Sequence, residues 1–197
     1  MIWDDYSRIV KPGDHAVFPP SQYSWRNYTP EKLLQVYRNK QAAKKGTEDH
    51  EFASLCIKRR QRLWKCKRTL ESFVNDAIGF GMESEKLLYY SNYFFGWTDA
   101  IVYKEKEKVL RIHDLKTGET PGSFHQLEIY AALFFLQYGD RLNAHPNNTT
   151  TLLRIYQFDT FEEVETPSEV LEDVMETIVL FNKILVNEDS EGLVMSG

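Results

Sequence analysis

Apolar and polar positions follow two periods along this chain, and each change of period marks a boundary between helical and extended stretches. Residues 86–90, 93–103, 109–116 and 151–158 alternate faces or run apolar with β-branched and aromatic side chains, so they read as strands. Helical spacing governs the rest. Pro30 starts a helix running to about residue 45. Thr47 caps a second, from residue 48 to about 65, whose stripe of Phe52, Leu55, Cys56, Arg59 and Leu63 lets the arginine lay its stem on apolar surface. Thr69 caps a third to about residue 78, ended by Gly79 and Gly81. Further helices are expected over 123–137 and, amphipathic, over 168–186. Residues 12–20 are expected to be irregular, 21–25 a short capped turn or helix, 143–148 a loop, and the end from Asn187 a polar tail.

The chemistry gathers where two of these strands meet. In 109–116, alternation puts Asp114 and Lys116 on the face of Leu110 and Ile112 and turns His113 to the opposite side, as a structural residue. If 93–103 pairs with this strand as a hairpin across the charged turn at 104–108, Asp99 comes beside them. Two carboxylates and a lysine suit Mg²⁺ and a phosphate, because Mg²⁺ takes hard oxygen ligands and keeps room for a substrate oxygen. An Asp-x-Lys alone is more often a solvated ion pair. Lys116-Thr117-Gly118 then turns the chain into the helix where Gln126 and Tyr130, four apart, share one face.

Charge sharpens this picture once it is divided. The 197 residues carry a net −5, yet residues 159–197 hold eleven acidic side chains and one basic, Lys183, leaving 23 Lys+Arg against 18 Asp+Glu in residues 1–158, a net +5. Residues 58–68 concentrate it, with seven cations, no anion and Trp64 among them. Lys58, Arg59, Arg60 and Arg62 are therefore expected to touch DNA phosphates. A charge run is as often just a solvated face.

Four short patterns fall in order between residues 46 and 130: Gly46-x-x-x-His50, Gly96-x-x-Asp99, Asp114-Leu115-Lys116 and Gln126-x-x-x-Tyr130. Their order and spacing resemble the PD-(D/E)XK nuclease superfamily, in particular its RecB-like exonuclease branch, which includes CRISPR-associated exonucleases and phage proteins. The resemblance covers roughly residues 21–158. It implies an α/β fold with a restriction-endonuclease-like core, a central mixed β-sheet flanked by helices. It implies that His50, Asp99 and Asp114 ligate Mg²⁺ or Mn²⁺ with the Leu115 carbonyl, that Lys116 is the catalytic lysine, and that Gln126 and Tyr130 contact DNA or orient the site. The activity implied is metal-dependent hydrolysis of DNA phosphodiester bonds, as an exonuclease in phage replication or recombination. A partner that anneals or binds single strands is implied with it. A non-catalytic DNA-binding or host-protein-inhibiting module on the same fold stands as the alternative, and a homo-oligomer is left open.

The CRISPR-associated members hold an iron–sulfur cluster on four cysteines; Cys56 and Cys66 are the only two here, so no such cluster is expected. Cys56 reads as a small buried hydrophobe and Cys66 as a helix-end thiol. Length and 42% hydrophobic content fit one nuclease domain over 1–197, with an irregular segment at 1–20, a core at 21–158 and an acidic helix and tail at 159–197. No apolar run approaches the roughly 20 residues of a membrane span, and Met1-Ile2-Trp3-Asp4-Asp5 does not read as a signal peptide. The expected location is a reducing cytoplasm, that of the bacterial host if the chain is phage-encoded.

Overall fold

In a computed structural model of the protein, residues 20–194 are described; the irregular segment expected at 12–20 lies outside them except for Pro20, which opens a 3₁₀ helix, Pro20–Asn27. The chain divides into two compact units, residues 1–45 and 46–197. In the first, the 3₁₀ helix precedes the opening of α1 (Pro30–Lys58), where the Lys32 N–H donates to the Thr29 hydroxyl at 3.3 Å and Pro30 occupies the first turn.

The second unit is a five-stranded sheet with helices on both faces. Strands β1 (Glu83–Tyr89), β2 (Phe95–Lys104), β3 (Val109–Leu115), β4 (Thr150–Gln157) and β5 (Thr160–Glu165) lie in sequence order, antiparallel except for the parallel pair β3–β4. A parallel pair needs a crossover, and α3 (His125–Leu142) supplies it. Leu88, Ile101, Leu110, Ile112, Leu153 and Ile155 bury one face of the sheet against α3 and α4 (Ser168–Val194). Met82, Ala100, Leu115 and Tyr156 bury the other against Ala53, Cys56 and Ile57 of α1 and against α2 (Thr69–Phe80). This is an α/β fold with a mixed sheet flanked by helices, consistent with a restriction-endonuclease-like core. Among the described residues, no helix is long and apolar enough to cross a membrane.

Several boundaries differ from those the sequence pattern suggests, each for a physical reason. No break separates residues 45 and 48: α1 is continuous through Gly46, because that glycine marks a close approach and not a stop. A Cβ there would stand 2.6 Å from Thr117 Oγ1. The helix does not reach residue 65 either. It ends at Lys58, where Arg60 takes a left-handed conformation (φ 54°) and the N–H groups of Arg60 and Gln61 return to the Ile57 and Cys56 carbonyls at 3.0 and 2.9 Å. Gly81 (φ 74°) closes α2 in the same way, while Gly79 stays inside it. Thr69 does not cap its own helix. Asp159 reaches from the β4–β5 turn to accept from the Thr69 N–H at 2.9 Å and its hydroxyl at 3.2 Å. Strand β5 has no counterpart in the apolar pattern, since its Thr-Phe-Glu-Glu-Val-Glu is almost wholly exposed; its carboxylates guard a sheet edge. Residues 187–194 continue α4 and form no separate tail.

Candidate active site

The site lies where the ladder around Asp99 comes apart. β1 and β2 pair Ser84 with Ala100 and Lys86 with Thr98 but leave out Glu85 and Asp99, and the β2–β3 ladder begins at Ala100 and His113. Glu85 is in the left-handed region (φ 49°), a conformation costly for a residue with a Cβ. The consequence is a change of face. Ala100 packs into the α1–α2 layer, whereas Gly96, four residues earlier and so expected on the same side, lies beneath Tyr130 of α3. Bulge-like distortions of this kind re-aim side chains, and the side chain re-aimed here is Asp99.

With its backbone outside both ladders, Asp99 uses its carboxylate to hold neighbouring elements together. Oδ2 accepts the Leu115 N–H at 2.9 Å, and Oδ1 lies 3.2 Å from His50 Nδ1 on α1. This bond, more than any other influence, raises the His50 pKa, with burial opposing it. On β3, Asp114 is buried and Lys116 Nζ stands 2.9 Å from its Oδ2; the contact is an ion pair without hydrogen-bond alignment, so that oxygen has no directed donor. Burial first, and then the Asp99 charge, push the Asp114 pKa up to about 6, against the opposing pull of Lys116 and His50.

Lys116 Nζ also donates to Gln126 Oε1 at 2.9 Å, and Gln126 Nε2 donates to the Tyr130 hydroxyl at 3.2 Å. The Tyr130 ring rests on Gly96, where a Cβ would stand 2.7 Å from Cε1. The four sequence patterns are thus brought into one chain of contacts. Gly46 and Gly96 supply the close approaches, His50 and Asp99 form one arm, and Asp114, Lys116, Gln126 and Tyr130 form the other. Leu115 joins the arms through its N–H, while its side chain is buried in the α1–α2 layer.

The basic residues expected to touch DNA all remain exposed, and three of them also have partners in the fold. Lys58 pairs with Glu85, Arg60 donates to the Met82 carbonyl at 2.8 Å, and Arg62 donates to the Asn75 carbonyl at 3.3 Å; Arg59 is exposed like the other three. Three of the four are tied into the fold. His113 is buried, as its alternation implied, edge-on to Phe80 and 3.4 Å from the Tyr156 hydroxyl, and burial holds its pKa down at about 3. Two participants carry no signal in the sequence. Thr117 resembles an ordinary turn residue and no pattern marks it; the positive φ of Glu85 likewise has no glycine or asparagine to announce it.

Among the described residues, no three His, Cys, Asp or Glu side chains are drawn into a ready-made metal cluster. The donor chemistry nonetheless fits a hard divalent cation. A buried carboxylate oxygen lacks an aligned donor, a second carboxylate raises its pKa, and an imidazole shares that second carboxylate. No protein-family model matches the chain, and neither curated sequences nor solved structures yield a match.

Proposed function

We propose that the protein is a metal-dependent deoxyribonuclease of the PD-(D/E)XK kind, hydrolysing DNA phosphodiester bonds and acting from DNA ends. The observation that carries this reading is the contact chain itself: seven residues from four separated patterns meet at one end of the sheet, and the glycines of two of those patterns lie close against Thr117 and Tyr130. Random Asp-x-Lys ion pairs have no reason to recruit the other three patterns.

Asp99, Asp114 and His50, with the Leu115 carbonyl, would hold Mg²⁺ or Mn²⁺, which supplies Lewis acidity and lowers the pKa of water. The remaining roles belong to the chain. Lys116 presents its ammonium to the scissile phosphate, where it offsets charge that grows in the transition state. Gln126 fixes the direction of that ammonium through its 2.9 Å bond, and Tyr130 fixes Gln126. His50 holds Asp99 against rotation from one side and the Leu115 N–H holds it from the other. Orientation by rigid neighbours matters because small misplacements of a reacting group cost large factors in rate. Phage replication or recombination beside a strand-annealing or single-strand-binding partner is the setting that goes with this reading.

Incubation of linear, circular and single-stranded DNA with Mg²⁺, Mn²⁺ or EDTA tests it. The expected result is metal-dependent loss of linear DNA, abolished by EDTA and by Lys116→Ala. Intact DNA in every metal condition overturns the enzymatic reading in favour of a non-catalytic DNA-binding or protein-inhibiting module.

A further inference from the structure

The segment between α1 and α2 is organised to display one aromatic side chain. Its sequence promised a helical face of cations, but the chain leaves the helix at Arg60 and runs irregularly from residue 61 to 66. The amide of Asn75 then clamps it: Asn75 Oδ1 accepts the Leu63 N–H at 2.9 Å, and Asn75 Nδ2 donates to the Leu63 carbonyl at 3.1 Å. With Leu63 fixed on both sides and partly buried against the α1–α2 layer, the next side chain is turned outward. Trp64 is 86% exposed, far more than any other large apolar side chain described.

The charges around it are sorted as well. Lys58, Arg60 and Arg62 are engaged with Glu85, the Met82 carbonyl and the Asn75 carbonyl while staying exposed, and Arg59, Lys65, Lys67 and Arg68 are exposed too. The engaged arginines help to pin the loop, and the remaining cations and the indole are open to solvent. A rigidly presented aromatic plane between cations is the arrangement that binds a single-stranded polyanion, with phosphates tracking the positive charge and a base stacking on the ring. Within a duplex the base faces are stacked on one another and are not open to an inserted ring. A membrane surface would ask for several apolar side chains, and Trp64 has only partly buried Leu63 beside it.

We propose that Trp64, with Arg59, Lys65, Lys67 and Arg68, forms a stacking site for an unpaired nucleotide of single-stranded DNA. Lys58 ends the helix that carries His50, eight residues on, or about 12 Å of helix rise. The proposed stacking site follows the end of that helix in the chain. It deepens the nuclease reading and rests on it for its biological meaning, although the binding stands separately.

The test is fluorescence anisotropy of labelled oligo-dT and of a blunt duplex, in EDTA so that nothing is cut. Trp64→Ala should weaken oligo-dT binding roughly 5- to 150-fold, the range produced by losing one base–aromatic stack, and leave duplex affinity unchanged. Because stacking is not ionic, the salt slope should stay as in the parent. Replacing Lys65 and Lys67 with Gln should instead flatten the slope by roughly 0.7 for each phosphate no longer neutralised. Trp64→Phe should restore most of the affinity, and the side chain's exposure means all these variants fold. Parent-like oligo-dT affinity in Trp64→Ala overturns the proposal, as does Trp64-dependent binding to phosphatidylserine vesicles with none to oligo-dT. Trp64-dependent binding without cleavage in any metal leaves this site standing and sinks the nuclease reading alone; cleavage with a Trp64 that does not matter does the reverse.

Discussion

His113 and Asp114 are neighbours on β3, both buried, both polar, and their surroundings are built to opposite ends. His113 faces a network that closes on itself. Arg154 donates to Asp76, Glu163 and the Tyr156 hydroxyl at 2.9 to 3.0 Å, and its guanidinium lies 4.2 Å from the Phe161 ring centroid; Tyr156 donates in turn to Asp76 at 2.8 Å. The one orphan there is His113 Nε2, and a neutral ring nitrogen can stay orphaned at the modest cost of a hydrogen bond. Asp114 faces the other way, onto Lys116, and its orphan is a carboxylate oxygen. An under-solvated charge is far more expensive. The first cluster stabilises the fold, while the second sets a buried carboxylate beside one ammonium, Lys116, and a second carboxylate, Asp99.

The sharpest break in that comparison is functional. Asp114→Asn should abolish cleavage and metal binding together while leaving the protein folded, and Lys116→Ala should keep metal binding but lose turnover by roughly 10²- to 10³-fold, as removal of one electrostatic stabiliser does. Calorimetric metal titration beside single-turnover cleavage reads both; undiminished metal binding by Asp114→Asn would remove it from the ligand set.

On the opposite face the effect should fall on stability. Arg154→Ala removes the guanidinium from Asp76 and Glu163, which keep Tyr156, Arg111 and part of their solvent, and should cost about 1.5–3 kcal/mol, the range for hydrogen bonds to charged groups. Urea denaturation measures it. A loss as small as that of Lys116→Ala would mean that the two faces do not differ as argued.

Gly96→Ala probes how the site is held together. The added methyl must displace the Tyr130 ring, at a cost of about 1–3 kcal/mol for overpacking, and should slow cleavage by disturbing Gln126 while metal affinity is retained. Gly46→Ala should be milder, because the Thr117 hydroxyl that it meets is able to rotate away. Equal, negligible effects of both on rate would detach the glycines from the site.

The smallest effect is a difference of slope with pH in EDTA. The folded-state pKa of Asp114 is raised, so its contribution to stability is full below pH 3.8 and is lost as pH rises through about 6. That of His113 is depressed, so its contribution is full above pH 6.5 and is lost as pH falls towards about 3. Between pH 4 and 6 the two slopes have opposite signs. Asp114→Asn should therefore make stability rise more steeply with pH, and His113→Gln less steeply, each by up to about 1.4 kcal/mol per pH unit. Shifts of the same sign in both variants would contradict the assignment.

Much of this was legible in the sequence because it is encoded over short distances. Period-two alternation located the β2–β3 hairpin and turned Asp114 and His113 to opposite faces, helical spacing joined Gln126 to Tyr130, and the order of four patterns named the residues that meet. What tertiary structure decided are contacts between residues far apart in the chain. Gly46 reads as a helix stop until Thr117 comes against it, and Thr69 reads as a cap until Asp159 takes that place, 90 residues away. The cations of residues 58–62 read as one helical face until the chain leaves the helix at Arg60 and Met82, Asn75 and Glu85 each engage one of them, with Trp64 left outside. Local patterns fix backbone periodicity and side-chain direction, but the partner of a glycine, a helix end or an arginine is set only when sheet and helices close on one another.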